Sequence, residues 1–238
     1  MYKFYEKREV LFAVLWIIAY CAIMTSLKGT YGYESAYMLI GPAIFTLAIS
    51  AFIKKGKLCE KYGLAGLPKD MKKYLYFIPM LALAIGNLWD GVTLSYGGSA
   101  LLTATASMIL VGFVEEVIFR GFLFKAMLGN GKTSVAIVVS ALTFGIGHII
   151  NLFAGQASFE TLLQVAFAIS WGFILTFVFY KSGNLWPCII AHAMIDAFSM
   201  YGADSEIGDY IYIAATVIVA IIYCVYLNNL KPKEEKGI

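Results

Sequence analysis

The sequence predicts an all-α fold: a polytopic membrane helix bundle of about eight transmembrane helices, with both termini cytoplasmic. Three observations lead there. Of the 238 residues, 61% are hydrophobic and 14% charged, whereas soluble domains carry roughly 45–50% apolar and about 25% charged residues. The apolar residues are gathered into runs near the ~20 residues that a helix needs to cross the hydrocarbon core. The basic residues fall between those runs in a strongly one-sided pattern.

Eight segments have the composition of spans: 10–27, 36–53, 74–89, 100–125, 133–153, 160–180, 185–201 and 210–229. The first follows the basic start "MYKFYEKREV". Its apolar run is long and no small-residue cleavage site follows, so it reads as a span and not as a secretory signal peptide. The third and seventh are the shortest. The fourth and fifth are joined by "GNGK", a turn-rich link that makes an antiparallel pair. With eight spans, one face receives the N-terminus, 54–73, 126–132, 181–184 and the C-terminus. Those regions and their flanks hold 16 of the 18 basic residues, leaving Lys28 on the other face and Arg120 inside a span. The positive-inside rule makes the lysine-rich face cytoplasmic.

The chain reads as a single membrane domain over 1–238, in a multi-pass protein of the cell membrane, with a catalytic core at about 100–200. Cys21, Cys59, Cys188 and Cys224 are scattered, with no Cys-x-x-Cys pair, so they form neither a disulfide framework nor a zinc knuckle. A net charge of +3 spread over loops excludes nucleic acid as a partner. The lipid bilayer is the expected surrounding.

Ionisable residues inside lipid are costly and face a bundle interior or a wet cavity. Here they sit on three spans. The fourth holds Glu115, Glu116 and Arg120, the fifth His148 and Asn151, and the seventh His192 and Asp196; the chain has no other histidine. Counted from the "GNGK" turn, Glu115 and His148 both lie on the order of 20 Å away at ~1.5 Å per residue, at matching depth. Glu116 and Arg120, Phe144 and His148, and His192 and Asp196 are i,i+4 pairs that share a helix face. Arg120 is expected to neutralise Glu116 and leave Glu115 free, Phe144 to pack on His148, and Asn151 to bond a neighbouring helix. Gly145 and Gly147 are expected to permit close helix approach, and Trp89 and Trp186 to anchor at the membrane interface.

"EEVIFR" at 115–120, "FGIGH" at 144–148 and "HAMID" at 192–196 resemble, in order, the Glu-Glu-x-x-x-Arg, Phe-x-x-x-His and His-x-x-x-Asn motifs of the CAAX-protease and bacteriocin-processing (CPBP, or Abi) family of intramembrane endopeptidases. "GNLWPCIIAH" ahead of His192 and "EKYGLAGLPKD" at 60–70 have the same flavour. The resemblance implies catalytic roles for Glu115, as the base that activates water, for His148, which helps hold that water, and for His192 with Asp196 as oxyanion stabilisers. Glu116, Arg120, Phe144 and Asn151 support them. The implied substrate is a membrane-embedded peptide or lipidated protein terminus, cut in or beside the cytoplasmic half of the bilayer.

Asp196 departs from the family's asparagine. An ionised aspartate repels an oxyanion, so Asp196 is protonated, orients His192 or binds a metal. The preferred reading needs no cofactor; the alternative is zinc held by Glu115, His148, His192 and Asp196. Two other function classes fit the same residues: an ion-coupled carrier, which often shows internal repeats that are not seen here, and a non-catalytic bacteriocin-immunity protein.

Overall fold

In hydrocarbon the backbone finds no water to bond, so apolar runs fold as helices whose N–H and C=O groups satisfy one another. The computed structural model, which describes residues 1–67 and 75–230, follows that rule. In chain order its helices are α1 (Tyr2–Lys7), α2 (Glu9–Tyr31), α3 (Ala36–Lys55), α4 (Ile78–Ala84), α5 (Gly98–Glu116), α6 (Lys125–Asn130), α7 (Thr133–Gly147), α8 (Ser158–Ser182), α9 (Trp186–Phe198) and α10 (Glu206–Asn229). A π-helical stretch, Val117–Phe124, joins α5 to α6, and a 3₁₀ stretch, His148–Ala154, continues α7. The protein is a multi-pass integral membrane protein.

Among the described residues six helical stretches are long and apolar enough to cross a membrane: Glu9–Tyr31, Ala36–Lys55, Gly98–Gly129, Thr133–Phe153, Ser158–Ser182 and Glu206–Asn229. The third and seventh expected spans are shorter helices, Leu75–Ala84 and Trp186–Phe198; residue 74 lies outside the described residues, as do Lys69, Lys72, Lys73, Lys231, Lys233 and Lys236. Sequence chemistry explains the shortening. Each short helix has a proline in its first turn, Pro79 in α4 and Pro187 in α9, where the missing N–H costs nothing. After α4 comes a 3₁₀ turn, Gly86–Leu88, and after α9 a turn; beyond these the two segments run alongside each other. Thr93 N–H donates to the Tyr201 carbonyl (2.9 Å) and Ser95 N–H to that of Met200 (3.1 Å), so the two non-helical segments satisfy each other where the helices stop.

The π stretch forms the centre of the bundle. All eight residues from Val117 to Phe124 are buried, the pattern of a helix surrounded on every side. Phe122 lies against Phe12, Trp16, Phe52 and Tyr62 in edge-on or tilted contacts, drawing α2, α3 and the 58–67 loop around it. At the lysine-rich end Lys61 donates to Glu9 Oε1 (2.5 Å) and to the Tyr5 hydroxyl (2.7 Å). Partial burial pulls the Lys61 ammonium down, but the hydrogen bonds to Glu9 and Tyr5 outweigh it and hold the group above its ordinary range. Residues 60–67 of "EKYGLAGLPKD" dock on the start of α9: Leu185 N–H donates to the Gly63 carbonyl (3.0 Å) and Asn184 Nδ2 to that of Gly66 (2.7 Å). Pro68, Lys69 and Asp70 of that stretch lie outside the described residues.

Candidate active site

Close helix approach sets the geometry. A Cβ on Gly112 of α5 would stand 2.8 Å from the Ala193 backbone nitrogen of α9. Only glycine lets the two backbones come this near, and the approach carries His192 to the glutamates one turn further along. Gly145 and Gly172 do the same for α7 and α8: a Cβ on Gly145 would stand 2.7 Å from the Ile169 nitrogen, and one on Gly172 2.7 Å from the Ala141 carbonyl oxygen. Gly147 differs from the sequence expectation. Nothing lies within 4 Å of the Cβ it lacks; it lines the cavity described below and packs on no helix.

The double glutamate divides its work at the junction of α5 and the π stretch. Glu116 and Arg120 are fully buried, with Arg120 Nη1 2.7 Å from Glu116 Oε1. Arg120 also donates to the Gly172 carbonyl (3.4 Å), and its guanidinium carbon sits 4.2 Å from the centre of the Phe144 ring. The same Glu116 oxygen lies 2.8 Å from His192 Nδ1. Glu116 therefore anchors the histidine as well as the arginine. With Nδ1 committed to it, Nε2 is the ring atom presented to the other carboxylates. It lies 3.4 Å from Asp196 Oδ2 and 3.7 Å from Glu115 Oε2. Glu115 accepts a hydrogen bond from the Tyr20 hydroxyl of α2 on its other oxygen (3.0 Å). Phe144 stands edge-on to both histidines, at 5.6 Å from His148 and 5.4 Å from His192 between ring centres.

Glu115, His148, His192 and Asp196 line one cavity of about 160 Å³, together with Phe144, Asn151, Gln164, Tyr20, Lys28 and Tyr33. His148 starts the 3₁₀ stretch. Asn151, three residues on, donates to Gln164 Oε1 of α8 (2.8 Å) and ties that stretch down. Trp186 reaches inward: its Nε1 donates to the Leu64 carbonyl (3.4 Å), while Trp89 is half exposed. Among the described residues no three His, Cys, Asp or Glu side chains form a group suited to hold a metal ion.

The chemistry was expected beside the lysine-rich loops, and here the structure differs. The lining comes from residues 20–28 of α2, Met38 at the start of α3, 144–151, Gln164 near the start of α8, and His192 and Asp196 in the later half of α9. These are the helix halves away from the lysine-rich ends. Glu115 sits near mid-depth, and from there the cavity extends toward the other face.

Residues 97–198 match the family model described as "Type II CAAX prenyl endopeptidase Rce1-like". That stretch holds all three of the motifs read from the sequence, and in it the chain is similar to the Rce1-like family. The chain is also similar to the Bacillus subtilis (strain 168) protein described as "Putative membrane peptidase YdiL", with 26% identity over 126 residues, 53% of this chain and 47% of that one. It thus spans about half the length of this curated relative.

Tyr20 and Lys28, both on α2, line the cavity from outside the matched residues 97–198 and were not singled out from sequence as part of a site. Tyr20 is a hydroxyl at the midpoint of an apolar run, and that is the signal that marks it. An aromatic of its kind at an interface needs no partner, but one at mid-depth does. Lys28 carried a signal too, as the one loop-side lysine on the wrong face. Gln164 gave none, since a lone glutamine near a helix start is unremarkable.

Proposed function

We propose that this protein is an intramembrane endopeptidase in which Glu115 activates a water molecule to cut a peptide bond of a membrane-borne substrate. The observation that carries this reading is the meeting of Glu115, His148, His192 and Asp196 on one cavity inside a membrane bundle. Peptide hydrolysis needs a base within reach of water and donors aimed where charge develops. Glu115 takes the proton as the water oxygen adds to the carbonyl carbon, then delivers it to the leaving amine. His148 helps position the water. His192, anchored by Glu116, turns Nε2 toward the reacting carbonyl oxygen. Asp196 steers that same nitrogen.

The reading is tested by comparing the membrane peptides of cells that carry the wild type with those of cells that carry Glu115→Gln. Peptides ending at new termini only in the wild type are expected. Identical peptide populations would overturn the assignment.

The unusual aspartate bears on the metal. Asparagine keeps the shape of Asp196 and donates without needing a proton, so Asp196→Asn is expected to retain cleavage, and the wild type is expected to work in chelator. If Asp196 ligates zinc, the substitution removes an oxygen donor and weakens both metal binding and turnover. Loss of activity in both arms, restored in the wild type by zinc at about one ion per chain, would replace the metal-free mechanism and leave the peptidase standing.

The lysine distribution makes the lysine-rich face cytoplasmic, and the cavity then opens toward the extracytoplasmic side. A membrane-impermeant maleimide added to intact cells should label Glu34→Cys, near the cavity end of α2, and spare Lys55→Cys, each in a background without the four native cysteines. The reverse pattern would invert the protein and with it the side from which substrate arrives.

A further inference from the structure

Helix α2 lies outside the matched residues 97–198, yet it supplies a side chain bonded to Glu115. Its buried residues Ala13, Ile17, Tyr20 and Met24 recur at helical spacing and form the stripe that faces the bundle. Of these four, Tyr20 alone carries a hydroxyl. A phenol buried among apolar side chains needs an acceptor. Other tyrosines of the bundle use backbone carbonyls: Tyr2 donates to that of Phe52 (2.5 Å), Tyr212 to that of Leu83 (3.0 Å) and Tyr223 to that of Tyr76. Those bonds fasten one element to another. Tyr20 instead donates to Glu115 Oε1 (3.0 Å), and both residues line the cavity.

The bond makes the two oxygens of Glu115 unequal. Oε1 is held by Tyr20. Oε2 lies 3.7 Å from His192 Nε2, beyond hydrogen-bond distance, and is the oxygen left to bind water. A glutamate carboxyl turns broadly about its last bond, and a hydrogen bond to one oxygen stops that turning. The donor is itself fixed. Tyr20 is buried, and its ring meets Phe45 of α3 edge-on, with 5.3 Å between centres. Its hydroxyl therefore presents one direction to the carboxyl.

We propose that Tyr20 is a positioning residue whose hydroxyl holds Oε1 of Glu115 and so turns Oε2 toward the water that is activated. The proposal rests on the peptidase reading for the reaction it serves, while the hydrogen bond is measurable without turnover. It also gives α2 a part in the chemistry. Residues 97–198 hold the three motifs, but the group that orients the base comes from a helix that precedes them.

The test uses the full chain in lipid nanodiscs and two readouts. Tyr20→Phe removes one oxygen and keeps the ring against Phe45. Its kcat on a fluorogenic peptide is expected to fall by about tenfold to a hundredfold, the size of loss that a misplaced reacting group brings. KM should stay unchanged, as for a group that acts through the base and not on bound substrate. Glu115→Asp draws the carboxylate back by one methylene, out of reach of the hydroxyl. It should be slow, and adding Tyr20→Phe should slow it no further. The second readout is the infrared carboxyl band of Glu115, identified by its loss in Glu115→Gln, which should move in Tyr20→Phe. A tyrosine that only packs α2 against α3 predicts wild-type kcat in Tyr20→Phe, because the ring remains. Wild-type kcat, a loss carried by KM, equal fractional losses in the wild-type and Glu115→Asp backgrounds, or an unmoved band would each overturn the proposal. A wild type that cuts no peptide, with a Glu115 band that still moves in Tyr20→Phe, would sink the peptidase reading and leave Tyr20 as the donor that orients Glu115.

Discussion

Glu115→Gln is expected to lower peptide cleavage by about 10²–10⁴-fold, the range over which a positioned general base acts, while leaving the protein folded and inserted. Glutamine keeps the shape of the side chain and still accepts the Tyr20 hydroxyl that lies 3.0 Å from Glu115 Oε1. What it loses is the ability to take a proton from water. The adjacent substitution, Glu116→Gln, should look different. Glu116 is fully buried between Arg120 and His192, so neutralising it disturbs two partners and should lower the amount of folded protein as well as activity. The measurement is a pair of numbers for each variant, the turnover of purified enzyme on a fluorogenic peptide and the thermal midpoint of the same preparation. Turnover by Glu115→Gln within a few-fold of the wild type would mean that another group activates the water. Equal midpoints for Glu116→Gln and wild type would mean that the buried pair does little for the fold.

That division of labour was half legible in the sequence. The i,i+4 spacing of Glu116 and Arg120 specifies a shared helix face, and one helix suffices to predict the pair. Matched depth on an antiparallel helix pair likewise puts Glu115 and His148 at one level. The Glu116–His192 contact crosses from α5 to α9, 76 residues apart in the chain, and depends on how closely two helices approach. Gly112 permits that approach, but a glycine in an apolar run carries no address for its neighbour. Tyr20 and Lys28 were missed for a related reason. They reach the site from α2, whose own periodicity marks no polar face. The short third and seventh segments were visible as short, but their continuation as mutually bonded chain was not, because pairing of 92–95 with 200–203 is a long-range choice. The cavity's direction followed from the same tertiary facts: which half of each helix meets the glutamates is set by packing, and lysine counting fixes only which loops share a side.

Removing the arginine is expected to have the largest effect on stability. Arg120→Met strands Glu116 as an uncompensated charge in a site that neither residue shares with solvent. Breaking a buried pair from one side costs about 3–5 kcal/mol in soluble proteins, enough to deplete the folded state of a domain with ordinary stability of roughly 5–15 kcal/mol. The arginine also gives up its place 4.2 Å from the Phe144 ring centre and its 3.4 Å contact with the Gly172 carbonyl, so three elements loosen together. The informative variant is the double one. In Arg120→Met with Glu116→Gln neither charge remains, and much of the lost stability should return, because the penalty lies in the orphaned partner more than in the missing attraction. Activity should not return with it. His192 Nδ1 lies 2.8 Å from Glu116 Oε1, and a glutamine there holds the ring only by a neutral amide and no longer favours one orientation of Nε2 in the cavity. A double variant that recovers its thermal midpoint but stays slow would separate the two jobs of Glu116, holding the fold through Arg120 and aiming the site through His192. A double variant no more stable than Arg120→Met alone would show that packing around the guanidinium, rather than charge balance, keeps this centre closed.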